Sequence, residues 1–247
     1  MAFRKFLSAL GINAPEVDTV LATSVVRPGD VLEATVHLRG GGADVEVERL
    51  RLDVVTRAED REQSETGWQN PFTIVSEVLN GPLTLHAGEQ RTERIAIRLP
   101  WEMPLTHVLG GRRLRGARVA VRTELAIDDA VDKGDFDEFQ VHALPAQDAI
   151  LQAYADLGFR FDEAEVKLGT PRGGHNSRVG YWQEIETWFP REYGRGDGQL
   201  ESVFVARADS LDLITGSSGP HLFTYADLDQ AAWTKRIDEH MRATFMR

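Results

Sequence analysis

The sequence predicts a mainly β protein: two β-sandwich modules, a short linker helix between them, and a further helix towards each end of the chain. Three observations carry this. Apolar and polar residues alternate at period two along most of the 247 residues, the mark of half-buried strands. Turns containing Gly and Pro follow one another closely with no helical pattern between them, as stacked antiparallel sheets require. After Pro145 the period switches to the helical one and then returns to two, which divides the chain into residues 1–145 and 146–247. A chain of this length has room for two compact cores.

The elements follow in order. In MAFRKFLSAL, Phe3, Phe6, Leu7 and Leu10 line one helical face beside Arg4 and Lys5. Packing against the protein's own sheets is the expected use of such a stripe. Resting on a lipid surface is the alternative, although about three turns with two basic residues make a short anchor. In VLEATVHL (31–38), Leu32, Ala34, Val36 and Leu38 share a face, after a turn at Arg27-Pro28-Gly29-Asp30 where proline presets φ and glycine supplies positive φ. In DVEVERLRLDVVTR (44–57), Val45 and Val47 fall on odd positions and Leu50, Leu52 and Val54 on even ones. A β-bulge near Glu48-Arg49 would restore one inner face. Further strands are expected at 71–79, at Ile95-Ile97-Leu99, and at Val119-Val121-Thr123-Leu125-Ile127.

AIDDAVDKGDFDEFQVHALP (126–145) then gathers six acidic residues. It could be a cation site, an acidic docking surface or a solvated turn. An EF-hand loop needs oxygen-bearing residues at positions 1, 3 and 5. Counting from Asp132 places Gly134 and Phe136 there, and counting from Asp129 places Val131 at position 3. Asp132, Asp135 and Asp137 can meet a cation in another geometry, but aspartate and glycine are also what a tight connection selects. The preferred reading is a solvated turn over 128–138, followed by a strand through Phe139 and Val141 and a stop at Leu144-Pro145.

Beyond it, Ile150, Leu151, Tyr154, Ala155 and Leu157 recur at helical spacing with Gly158 at the C-cap. Period two resumes in Phe159, Phe161, Val166 and Leu168, in Tyr181, Gln183, Ile185, Thr187 and Phe189, and at Val203, Val205, Leu211 and Leu213. The closing YADLDQAAWTKRIDEHMRATF forms a helix with Leu228, Ala231, Ala232, Ile237, Met241 and Phe245 as its apolar stripe, capped by Asp227 or Asp229.

Composition narrows function. The net charge of −11 repels phosphate backbones and anionic lipid, so nucleic acid is not an expected partner. Cysteine is absent, which removes thiolate metal sites, disulfides and cysteine nucleophiles and fits a cytoplasmic location. No uncharged apolar run reaches the roughly 20 residues that span a bilayer, and the start lacks a secretory h-region. The histidines at 37, 86, 107, 142, 175, 221 and 240 show no HExxH or HxH spacing. There is no GxSxG elbow, Walker loop or GxGxxG opening a helix. GGHNS (173–177) and GSSGPH (216–221) put serine near histidine, but such a pair also needs an orienting acid, and flexible polar loops are the expected reading. A hydrolytic site assembled from dispersed residues would draw on His175 and Asp197. Trp182 and Trp188, off the Ile185 face, are candidates for partner contact unless both strand faces are buried.

Taken together, the amphipathic start with Gly11-Ile12 and VDTVL (17–21), RPGDVLEATVHLRGG (27–41), ERIAIRLPWEMPLT (93–106), TELAIDDAVDKGDFDEFQVHALP (123–145), ILQAYADLGFRF (150–161) and WQEIETWFP (182–190) resemble the sporulation-control proteins of arrestin-like fold (Spo-zero-M) in order and spacing. The resemblance covers residues 1 to about 190 and fades beyond about 210. It implies two arrestin-like sandwiches in a non-enzymatic bacterial regulator acting through protein contacts, with no cofactor, no metal and no catalytic residue. A homodimer is among the expected assemblies, and strand addition at a sheet edge is the favoured contact mode.

Overall fold

The computed structural model describes residues 15–60, 66–79, 83–127 and 130–246. The stripe at residues 2–10 lies outside them. Strands dominate. β1 (Glu16–Leu21), β3 (Val31–Arg39) and β7 (Gln90–Arg98) form a three-stranded antiparallel sheet in the order β1-β3-β7. It faces a six-stranded sheet ordered β2-β11-β10-β4-β5, made of β2 (Val25–Val26), β11 (Ala130–Val141), β10 (Val119–Ile127), β4 (Val45–Thr56) and β5 (Phe72–Leu79), with β6 (Leu83–Leu85) also on β4. Leu32, Val36 and Ile97 from one sheet and Leu50, Leu52, Val54 and Val121 from the other are buried between them. The short strands β8 (His107–Val108) and β9 (Arg112–Arg113) pair with each other apart from both sheets.

The slip in β4 is a bulge at its expected place. Opposite β10, Ala126 pairs with Arg49 and Ile127 with Val47, so Glu48 is the extra residue and both apolar sets face inward. The acidic stretch corrects the expectation of a turn. Ile127 pairs with Ala130, Leu125 with Asp132 and Glu124 with Lys133, so the strand begins at Ala130 and the acidic residues sit along it. Only residues 128 and 129 separate the paired ends. The physical reason is position. β2 joins β11 only at Gln140 and Val141, so residues 130–139 form a sheet edge among the described residues, and charge on an edge discourages pairing with another chain.

α1 (Pro145–Asp156) begins five residues earlier than the apolar stripe suggests. Pro145 starts the helix instead of marking a stop, because its missing N–H is one that the first turn leaves unpaired. Gln147 Oε1 accepts from the Leu144 N–H at 2.9 Å. Ile150, Leu151 and Tyr154 are fully buried, and Gly158 follows the helix at φ +85°.

The remaining strands, β12 (Arg160–Leu168), β13 (Tyr181–Trp188), β14 (Gln199–Ala206), β15 (Ser210–Thr215) and β16 (Ser218–Thr224), form one antiparallel meander in chain order. GSSGPH is therefore not a flexible loop. Thr215 pairs with Ser218 across Gly216-Ser217, a two-residue hairpin connection, and the segment continues as an edge strand. α1 and the last helix, α2 (Gln230–Phe245), cover one face of this sheet. Asp229 caps α2 by accepting from the Ala232 N–H at 2.8 Å. Its buried stripe is Trp233, Ile237 and Met241, whereas Leu228, Ala231 and Ala232 stay exposed. Tyr154 Oη lies 3.1 Å from Ser202 Oγ and ties α1 to the sheet, and Gln230 Nε2 donates to the Ala149 carbonyl at 3.0 Å and ties α2 to α1.

Candidate functional site

The dispersed hydrolytic pair does not assemble. Exposed His175 lies in the connection before β13 and exposed Asp197 in the one after it, so the length of the strand, on the order of 25 Å, separates them. In the β15–β16 hairpin Ser218 Oγ is 3.4 Å from His221 Nε2. The charged group acting on that imidazole is the cation Arg236, not an acid, and burial followed by Arg236 lowers its basicity. Trp182 packs on Val203, Val205 and Ile214 and donates its indole N–H to Glu184 at 2.8 Å, so its strand face is covered by the protein itself. The side chains of Asp132 and Asp135 fall outside the described residues. Among those residues no helix is long and apolar enough to cross a membrane.

The fold brings two histidine pairs together. His107 and His142 stack at 5.0 Å, and burial, then the neighbouring cations, lower His107. His221 and His240 meet at 4.1 Å between β16 and α2, with His240 Nε2 2.8 Å from Thr215 Oγ1. Burial, with His221 and Arg236 beside it, holds His240 at about 4.

An acidic corner forms where β12 and β13 run side by side. Oxygens of Asp162, Glu163 and Glu186 lie within 4.8 Å of one another. Burial, then Glu165 and Glu163, push the Glu186 carboxyl up to about 7. The corner is already internally satisfied. Arg115 binds Asp162, and Gln199 Nε2 donates to Asp162 at 2.8 Å and to Glu186 at 3.0 Å. It is an ion-paired surface, and a divalent cation would have to displace those partners.

The two halves meet along β12, and concave surface opens at and beside their junction. The Ala164 N–H donates to the Arg115 carbonyl at 2.8 Å, the Glu59 N–H to the Val166 carbonyl at 2.8 Å, and the Leu168 N–H to the Glu59 carbonyl at 2.9 Å, so β12 leans its edge on the first half. Gln183 grips both backbone groups of Leu105, at 2.8 and 2.9 Å. Gly116, at φ +80°, lets this contact form, because a Cβ there would sit 2.6 Å from the Ala164 carbonyl oxygen. Beside it opens a groove of about 620 Å³ lined by Arg57, Arg113, Arg115 and Arg118 together with Trp68, Leu114 and Ala117. No carboxylate lines it among the described residues. The Arg118 guanidinium stacks 4.3 Å from the Trp68 ring centroid, and Trp68 meets Phe136 edge-on at 5.6 Å. Glu138 pairs with Arg118, and Asp162 and Glu163 pair with Arg115. The signal in the sequence was GGRRLRGAR (110–118), four arginines in a strongly acidic chain.

Comparison with known proteins agrees with this architecture. The family model described as Spo0M: SpoOM protein matches residues 3–216. The sporulation-control protein spo0M of Bacillus subtilis (strain 168) is 30% identical over 218 residues, covering 86% of this chain and 78% of the relative. The crystal structure of Spo0M from Bacillus subtilis superposes with a TM-score of 0.77 at 27% identity, covering 94% of this chain and 99% of that one. With its mainly β sheets and the helix that joins its two halves, the chain belongs to the Spo0M family.

Proposed function

We propose that this protein is a non-enzymatic regulatory adaptor of the bacterial cytoplasm that works by binding other proteins. Regulation is the role its relatives' name prints, since they are sporulation-control proteins. The observation that carries the reading is the junction. Backbone hydrogen bonds from Arg115 and Glu59 to β12, with Gln183 clasping Leu105, fix the two halves against each other beside the arginine groove. Such preorganisation serves recognition, because little ordering entropy remains to be lost on contact. Edge strands add a second mode. β16 pairs only with β15 among the described residues and shows Leu222 at 52% exposure, which suits strand addition with one side-chain pocket.

The test is affinity capture of the full chain after cross-linking in its own cells, together with sedimentation to establish whether copies associate. A protein recovered in near-stoichiometric amount is the expected result. A chain that sediments alone and captures nothing removes the adaptor role.

A further inference from the structure

We propose that the arginine groove at the junction docks a short acidic segment of a partner protein, one whose carboxylates flank an apolar side chain. This rests on the adaptor reading and names the chemistry of the partner. The surface as a whole repels acidic ligands, with a net charge of −11. The groove is the exception: four arginines line it and no acid does among the described residues, with Arg115 and Arg118 paired to Asp162, Glu163 and Glu138 beside it and Arg113 exposed. Arginine presents a planar fork of donors that matches a carboxylate two bonds at a time, more strongly than neutral hydrogen bonds do. Stacking on Trp68 holds Arg118 in place before any ligand arrives.

Size and lining select the class of ligand. The groove, at about 620 Å³, is far larger than one oxyanion and open to water, so a lone ion would stay solvated and gain little there. The half-buried indole of Trp68, which also lines the groove, offers an apolar surface that an ion does not use and a leucine or phenylalanine side chain does. The partners of the arginines limit the ligand's length. Glu138 pairs with Arg118, and Asp162 and Glu163 pair with Arg115, so a long polyanion such as nucleic acid meets like charge beside the groove. A short acidic core with basic or neutral flanks meets complementary charge throughout.

The experiment measures fluorescence anisotropy of a labelled peptide, KSELEFESK, titrated with the full chain, with KSQLQFQSK as its uncharged-core counterpart and inorganic phosphate as competitor. Arg113→Glu reverses one exposed charge in the groove, Arg113→Gln removes it, and Lys235→Glu makes the same reversal on exposed α2, 76% of that side chain being in solvent. Thermal melting confirms that each variant is folded. The expected result is saturable binding of KSELEFESK that weakens with added salt, falls roughly tenfold or more in Arg113→Glu, less in Arg113→Gln and not in Lys235→Glu, and is weak for KSQLQFQSK. Equal loss in Arg113→Glu and Lys235→Glu, equal binding of the two peptides, full displacement by millimolar phosphate, or no binding each overturns the assignment. Cellular capture separates the two levels of the argument. A partner retained equally by Arg113→Glu leaves the adaptor role standing and removes the groove, whereas a wild-type chain with no partner removes the role itself.

Discussion

Asp53 is wholly buried on the sheet face that points away from the sandwich core, and it survives there because it is surrounded. Arg122 Nη2 donates to it at 2.8 Å, Ser76 Oγ at 2.6 Å, and Arg51 lies 3.1 Å away while also binding Glu124. Removing Arg122 leaves the Asp53 charge facing Arg51, which it shares with Glu124, in low dielectric, so Arg122→Ala should cost about 3 kcal/mol in urea unfolding. The double change Arg122→Met with Asp53→Leu should cost far less, and equal losses would show that packing, not charge, is at stake. Glu186 makes the opposite case. Its folded carboxyl is raised to about 7 from 4.5, so ionising it is easier in the unfolded chain and its penalty grows as pH rises between those values. Glu186→Gln should therefore raise Tm at about pH 8 and leave it unchanged at about pH 4. These charged positions were visible in the sequence as the outward-facing set of β4 and β10. Their burial was not, because alternation identifies the second face of a strand without saying whether water reaches it.

At the scale of elements, α2 is held by contacts that acid should loosen. His240 sits at about 4 when folded against 6.5 for the free side chain, so it stays neutral against Thr215 while the unfolded chain takes up a proton. That contribution is complete above about pH 6.5 and is lost as pH falls towards 4, on the order of 1 kcal/mol after allowance for solvent screening. His240→Asn should flatten the pH dependence of stability across that window, and an unchanged slope would refute the assignment. The junction depends on one residue of different character. Gly116 combines a positive φ with a carbonyl 2.6 Å from where a Cβ would stand, so Gly116→Ala should destabilise by about 1–3 kcal/mol and raise amide exchange at Ala164 and Leu168. Unaltered exchange there would show that the contact adapts. The elements themselves were largely legible. The β4 bulge, the β10 strand and the Asp229 cap follow from alternation and capping rules. β16 was not, because Gly, Ser and Pro share one composition in a loop and in a short edge hairpin. The layer opposite β12–β16 was not either, because period two reports that one face is covered and is silent on whether a sheet or a helix covers it.

The whole molecule has a continuous interior. Buried residues run without a break from Leu32 and Leu50 in the sandwich through Ile150 and Tyr154 of α1 to Leu213, Trp233 and Met241. Halves that share a core and exchange backbone hydrogen bonds should unfold as one unit. Urea unfolding followed by near-ultraviolet circular dichroism and by amide exchange should give coincident transitions, and two separated midpoints would show that α1 joins independent bodies. The arginine groove was half visible in GGRRLRGAR. What the sequence did not show is Arg57, which is distant in the chain and comes beside Arg118 because Thr56 pairs with Val119 in the sheet of the first half.

The acidic edge of β11 carries a last implication, for solubility. Asp132, Asp135, Asp137 and Glu138 stand along a strand whose outer hydrogen-bonding groups find no neighbouring strand among the described residues up to Phe139. Mutual repulsion between copies is what keeps such a rim from templating fibrils, so concentrated stocks of this protein should keep best in dilute, mildly alkaline buffer and gel first where acid or strong brine silences that repulsion.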